Sequence, residues 1–299
     1  MIGEVLIFNT MKTILVMTDF TENAAHAALS GVMLSEKIHA NMLLLNVNIT
    51  QPVLPQYAGG PTVVDDFRFW EDESKEMLHK LSTSLEPLLT EPERGMLKPS
   101  IHVEYAEGNV GDMVKEAIKQ RDIELIVMGA RAGSTMEHIL TGSDTTKVID
   151  NATRPVLVIP QNADLNKLAK VIFATDYNEK DIKGIYYLTK LGRIFNFHLE
   201  IIHVESFGEN DITKTLREIT FLRQLHKLKY PNMTIKEVQG KDIVHRLNTL
   251  FEESGADLLS MTHYNNSFFT RIFKQSVTRK ALADQKVPLL VFPSVMQEK

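Results

Sequence analysis

Short apolar runs recur along the chain, separated by stretches in which apolar and polar residues alternate at helical spacing. In the first half the runs lie at Thr13–Thr18, Met42–Val47, Ile101–Tyr105, Leu125–Met128 and Val156–Ile159. Their brevity and near-continuous apolar character predict parallel strands buried on both faces. Glu22–His39 and Val110–Lys119 carry the 3.6-residue pattern of amphipathic helices between strands. Strands alternating with helices predict a doubly wound α/β sheet.

The pattern is written twice. "KTILVMTDF" from Lys12 returns as "KVIFATDY" from Lys170, placing Asp19 opposite Asp176 at an offset of 157. "MLLLNV" and "LEIIHV" keep that offset. "IELIVMG" and "ADLLSMT", and "RPVLVIP" and "VPLLVFP", pair at about 25 residues less. The difference is an insertion in the first copy that includes "QPVLPQYAGGPTVV" (Gln51 to Val64), a Pro/Gly-rich loop that either covers a site or is a loose excursion. Two α/β domains are therefore expected, at 11–160 and 170–294, joined by the polar linker Gln161–Lys170. Each should hold a five-stranded parallel sheet in order 3-2-1-4-5. In the second, Asn178 followed by the acidic Asp181 marks a helix start. The last strand of each copy leaves an apolar sheet edge.

Composition narrows the classes. Of 299 residues, 43% are hydrophobic and 24% charged, as in a globular protein, and the net charge of −5 argues against a general DNA or RNA binder. The absence of cysteine excludes disulfides, thiol catalysis and Cys-based metal sites. No apolar stretch approaches the roughly 20 residues that span a bilayer. No basic leader precedes the first strand, so a cytoplasmic location and no membrane partner are expected, with Met11 an alternative start.

In an open α/β sheet, ligands sit beyond the carboxyl ends of the strands where strand order reverses. Two segments qualify: Thr18–Asp19 after the first strand and "GARAGSTMEHILTGSD" (Gly129 to Asp144) after the fourth. Asp19 is either a ligand for a ribose or adenine edge, or a loop aspartate at a helix entry. The glycines either admit a phosphate near the backbone or only turn the chain. Ser143, at a helix start, offers a hydroxyl and exposed N–H groups.

The spacing carries a resemblance. Gly129, two residues, Ala132, nine residues, then Gly142 and Ser143 is similar to the Gly, two, Gly, nine, Gly, Ser/Thr frame of ATP-binding universal stress proteins, with Ala132 replacing the second glycine. "ILVMTDF", "LLLNV", "EGNVGDMV", "LIVMGARAG" and "TRPVLVIP" also fall where that family has comparable segments, so the chain resembles a tandem universal stress protein. The resemblance implies the adenine nucleotide alpha hydrolase-like fold and an adenine nucleotide (ATP, ADP or AMP) as ligand, with Mg²⁺ as a companion. Thr18 and Asp19 would contact the adenine or ribose side, and the backbone of Val47 would pack against adenine. Gly129, Ala132, Gly142 and Ser143 would wrap ribose and phosphates, with Arg131, Gly133, Asp144 and Thr145 beside them. Met17 stands where some ATP-binding members carry proline. Asp144 places a negative charge near the expected phosphates unless a metal or Arg131 compensates.

The second copy departs further: Thr262, Asn265, Gln275 and Ser276 stand opposite Gly129, Ala132, Gly142 and Ser143. It is not expected to bind ATP in the family's way. The histidines show no metal spacing, and His138, His203 and His245 are expected in ordinary fold positions. Trp70, in "DDFRFWEDE", is expected to anchor the second helix. No G-x-S-x-G or intact P-loop is present, and no base or nucleophile flanks the glycines. Asp19 could activate water, although its first reading is binding, so at most slow ATP hydrolysis is expected. In the family the last strand pairs across a dimer. Here Val156–Ile159 beside Leu289–Phe292 would make an intramolecular pseudo-dimer, with a homodimer as a further step. The reading is a stress-response protein binding an adenine nucleotide as a regulatory or signalling binder. The alternative is an interaction module that binds no nucleotide and acts through its surfaces or another small ligand.

Overall fold

A computed structural model describes residues 11–48, 63–92, 97–130, 143–161, 163–205, 212–240, 243–264 and 288–296. The first half runs β1 (Thr13–Met17), α1 (Glu22–Ile38), β2 (Asn41–Asn48), α2 (Val63–Leu85), β3 (Ile101–Glu107), α3 (Val110–Gln120), β4 (Ile123–Gly129), α4 (Ser143–Asn151) and β5 (Val156–Ile159). The second runs β6 (Lys170–Thr175), α5 (Asp181–Phe195), β7 (His198–Glu205), α6 (Ile212–His226), β8 (Met233–Gln239), α7 (Ile243–Ser254), β9 (Leu258–His263) and β10 (Leu289–Pro293). Each half orders its strands 3-2-1-4-5, and the two form one ten-stranded sheet, β3-β2-β1-β4-β5-β10-β9-β6-β7-β8.

The seam is antiparallel, with Leu289 opposite Val158, Leu290 opposite Leu157 and Val291 opposite Val156. All other strand pairs are parallel. Each apolar edge thus finds its missing ladder partner in the other half, which removes an aggregation-prone edge. The outer strands β3 and β8 are the sheet's edges and are largely exposed.

The core lies on both faces of the sheet. Leu15, Leu43, Ile126 and Val158 face α3 and α4, while Ile14, Met42, Leu44 and Val127 face α1 and α2. These side chains are fully buried, each worth roughly 1.5–3 kcal/mol against exposure. Helix α1 begins at an N-cap, Thr21, whose hydroxyl accepts from Ala24 N, and ends on left-handed His39 (φ 51°). The linker is docked rather than loose: Ala163 and Leu165 are buried, and a short 3₁₀ turn spans Leu165–Lys167.

Two expectations change. Trp70 is 55% exposed, and the described α2 residues that are buried are Ser74, Leu78, Ser82 and Leu85. Asn178 does accept from Lys180 N (3.1 Å), but it caps a turn. The α-helix begins at Asp181, which is not a solvent-facing first-turn acid but a buried one.

Candidate functional site

Strand β1 delivers the chain to a tight loop. Thr18 N donates to Leu45 O (3.0 Å) and Asn46 Nδ2 donates to Thr18 O (2.8 Å), tying the loop to the end of β2. Phe20 takes a left-handed conformation (φ 62°), its N–H held by Thr18 Oγ1 at 3.1 Å. Asp19 Oδ1 accepts from Thr21 N (3.1 Å) and Thr21 Oγ1 (2.6 Å). One carboxylate oxygen therefore organises the entry to α1, and Oδ2 makes no hydrogen bond among the described residues. Asp19 remains exposed.

Helix α1 crosses close over the end of β4. A Cβ on Gly129 would stand 2.6 Å from the Asn23 carbonyl and 2.9 Å from Ala24 N, so backbone contact alone demands glycine here. The buried Asn23 side chain donates to Ala130 O, pinning the helix start to the chain leaving β4. Helix α4 starts at Ser143, with Asp144 in its first turn and Thr145 buried.

These elements enclose a cleft of about 580 Å³ beyond the carboxyl ends of β1 and β4, a volume suited to a small ligand. Met17, Val47, Val110, Met128 and Val148 give it apolar walls, and Asp19, Glu22, Asn23, Asp144, Thr145 and Gln161 polar ones. Thr18, Asp19, Val47, Gly129, Asp144 and Thr145, expected from sequence, all line it. Ser143 opens α4 beside them. Arg131, Ala132, Gly133 and Gly142 lie outside the described residues, as does His138. Sequence reasoning missed Glu22, Asn23, Val110, Val148 and Gln161. Gln161 comes from the linker and donates to Glu22 Oε2 at 3.0 Å.

The second half repeats the loop. Tyr177 has the same φ of 62° and donates from N to Thr175 Oγ1 (2.9 Å), and Asp176 Oδ1 accepts from Asn178 N (3.2 Å). The registers correspond, Val16 opposite Val127 in one half and Phe173 opposite Ser260 in the other. Behind the loop the chemistry differs. Asp181 replaces Ala24, Thr262 replaces Gly129 and Tyr264 replaces Arg131. Asp181 is 1% exposed, accepting from Thr175 Oγ1 (2.7 Å) and from the Tyr264 hydroxyl. Burial pushes its carboxyl from 3.8 up to about 6, against the opposing pull of those hydroxyls. His203, the counterpart of Asn46, is buried, stacks on Tyr177 at 4.2 Å and donates from Nδ1 to Thr175 O at 2.9 Å. The carbonyl can only accept, which places a proton on Nδ1. Asp181, Thr262 and Tyr264 thus stand where the first half has Ala24, Gly129 and Arg131, and the cleft of this half, about 490 Å³, lies instead between Asp176–Glu179 and the α6 residues Leu216, Arg217, Thr220 and Phe221.

Among the described residues no group of three or more His, Asp or Glu could hold a metal ion, and no helix is long and apolar enough to cross a membrane.

The universal stress protein family model matches residues 10–160. The chain is 28% identical over 151 residues to a universal stress protein of Methanocaldococcus jannaschii, covering 50% of this chain and 83% of that one. It is 34% identical over 92 residues to universal stress protein G of Salmonella typhimurium, covering 31% of this chain and 60% of that one. A universal stress protein structure from Archaeoglobus fulgidus shares the fold across 95% of this chain and 97% of its own, with a TM-score of 0.69 at 17% identity. A functionally unknown Pseudomonas aeruginosa protein does so across 95% and 93%, with a TM-score of 0.53 at 12% identity. With the matched repeat, the second copy of the pattern and the fold in agreement, the chain belongs to the universal stress protein family.

Proposed function

We propose that the first-half cleft binds an adenine nucleotide and that the protein acts as a nucleotide-responsive stress protein, a regulatory or signalling binder rather than an efficient enzyme. The observation that carries this reading is the cleft itself: about 580 Å³, at the strand-order reversal, lined by Asp19 on one side and the first turn of α4 on the other. Its apolar walls suit a flat base, with Val47 at the end of β2 as the packing surface. Asp19 Oδ2 suits a ribose hydroxyl, and the N–H groups opening α4 suit a phosphate. Mg²⁺ would enter with the phosphates rather than on a protein cage.

One observation favours the alternative, an interaction module without nucleotide. Gly129 is explained by the approach of α1, so that glycine by itself does not argue for a phosphate. Acid extraction and chromatography of the purified protein, followed by calorimetric titration with ATP, ADP and AMP, separates the two. Adenine nucleotide in the extract, or micromolar binding, supports the site. No binding below millimolar concentration leaves the surface-acting module.

A further inference from the structure

We infer that the second-half cleft is a binding site in its own right, for a small zwitterion with an apolar body, an amino acid or short peptide. The inference goes beyond the nucleotide reading and does not depend on it.

The cleft holds about 490 Å³ between the loop after β6 and helix α6, a volume within the range of small-molecule sites. Asp176, Tyr177, Asn178 and Glu179 form its loop wall, and Leu216, Arg217, Thr220 and Phe221 its helix wall. The helix residues fall one turn apart, so a single stripe of α6 faces the loop. Between the walls the floor is aromatic. Tyr177 and Phe221 are buried, with ring centroids 5.4 Å apart. Tyr177 also stacks on His203 at 4.2 Å and donates its hydroxyl to Glu237, so its ring is held in place. Leu216, 61% exposed, carries the apolar surface up to the rim.

Charge is divided between the walls. The loop brings two carboxylates, Asp176 and Glu179, and the helix brings the Arg217 guanidinium. Asp176 accepts from Asn178 N through Oδ1 at 3.2 Å, which leaves Oδ2 for a ligand. Glu179 and Arg217 are exposed, and among the described residues no ion pair engages either of them or Asp176. Opposite charges therefore flank the floor without meeting. A molecule with an ammonium at one end and a carboxylate at the other suits both walls. The ammonium donates to the loop carboxylates, the guanidinium donates to the ligand carboxylate, and an apolar side chain lies over Tyr177, Phe221 and Leu216. A simple anion would meet the two loop carboxylates, and a simple cation would meet Arg217. Asp19 and Glu22, the counterparts of Asp176 and Glu179, line the first-half cleft, so one repeated loop serves two clefts of different chemistry.

The test is calorimetry on the full-length protein with L-phenylalanine and L-leucyl-L-phenylalanine, each also in its N-acetyl and C-terminal amide forms. At least one zwitterion should bind in the millimolar range or tighter, with both of its capped forms about five- to tenfold weaker. Arg217→Gln should weaken the zwitterion and its N-acetyl form by about that factor and leave the amide unchanged. Glu179→Gln should weaken the zwitterion and its amide and leave the N-acetyl form unchanged. Both positions are exposed, and denaturant unfolding of the variants checks that the fold is intact. Asp19→Ala, in the other cleft, should leave zwitterion binding as it is. Failure of both zwitterions to bind in the millimolar range, capped forms that bind as tightly as the parent, or displacement of the zwitterion by AMP overturns the inference. AMP binding to the first half stands or falls separately.

Discussion

The two halves hold the same loop and use the space behind it in opposite ways. Thr18–Asp19–Phe20 and Thr175–Asp176–Tyr177 share a positive-φ residue, a hydroxyl that holds its N–H and an aspartate that ties the next turn. That loop is therefore a device for entering a helix, and an aspartate within it is not by itself a ligand site. What separates the halves is the next layer. Ala24 and Gly129 leave a cleft in the first, while Asp181, Thr262 and Tyr264 build a buried hydrogen-bonded cluster in the second. The interior of the second half is more polar elsewhere too. Glu200, at the position of Leu43, is 2% exposed and bridged to Lys170 and Lys236.

Exchanging the residues at the end of the fourth strand should break the comparison most sharply. Gly129→Thr forces side-chain atoms into the backbone of Asn23, so α1 must shift, with an expected loss of about 3 kcal/mol in denaturant unfolding. Thr262→Gly removes a side chain without a clash and should cost about 1 kcal/mol. Equal losses would mean the strand ends are not packed differently.

Next in size is the buried cluster. Asp181→Ala strands the hydroxyls of Thr175 and Tyr264 and should cost about 2 kcal/mol at neutral pH. The pH dependence has a definite sign. Because burial raises the Asp181 carboxyl to about 6, the unfolded chain releases that proton first. Its contribution to stability is full below the ordinary value of 3.8 and declines as pH rises to about 6, by up to about 3 kcal/mol. Asp181→Asn should remove that decline, read as the difference between variant and parent unfolding free energies from pH 4 to pH 7. A difference that does not vary with pH contradicts the assignment.

The smallest effect is expected at Glu200. Although burial pushes its carboxyl up, Lys236 and Lys170 outweigh that and hold it low. Its contribution is therefore present above the ordinary carboxylate range and fades in acid. Glu200→Leu, which installs the first-half residue, should change stability by less than about 1 kcal/mol at neutral pH, since apolar packing replaces an ion pair that is costly to desolvate. A loss of several kcal/mol would make the ion pair a principal support of the second half.

Much of this contrast was legible before the fold was seen. The continuous apolar runs at Ile14–Val16, Leu43–Leu45 and Val156–Ile159 read as buried strands, and the two offsets between copies, 157 before the insertion and about 25 less after it, pair the strand ends of the two halves. The repeated apolar edge strand also pointed to the seam between β5 and β10. Contacts made by polar residues across large separations were not legible. Asn23 meets Ala130 over 107 positions and Gln161 meets Glu22 over 139, and neither residue carries a periodic signal. Asp181 reads as a favourable first-turn acid, and only the neighbouring Tyr264 hydroxyl shows why it is buried instead. Trp70 reads as an anchor by size, yet more than half of it is exposed.

Titration of the full-length protein with AMP, alone and as paired aspartate variants, tests the central claim most directly. Asp19→Ala and Asp176→Ala each remove the backbone hydrogen bond that orders the loop, and Asp19→Ala removes the Thr21 hydroxyl bond as well, so unfolding free energies of both variants are measured alongside. The account predicts one AMP per chain, binding lost or at least tenfold weaker in Asp19→Ala, and binding retained in Asp176→Ala. Two AMP per chain, or binding that survives Asp19→Ala and fails in Asp176→Ala, would contradict it.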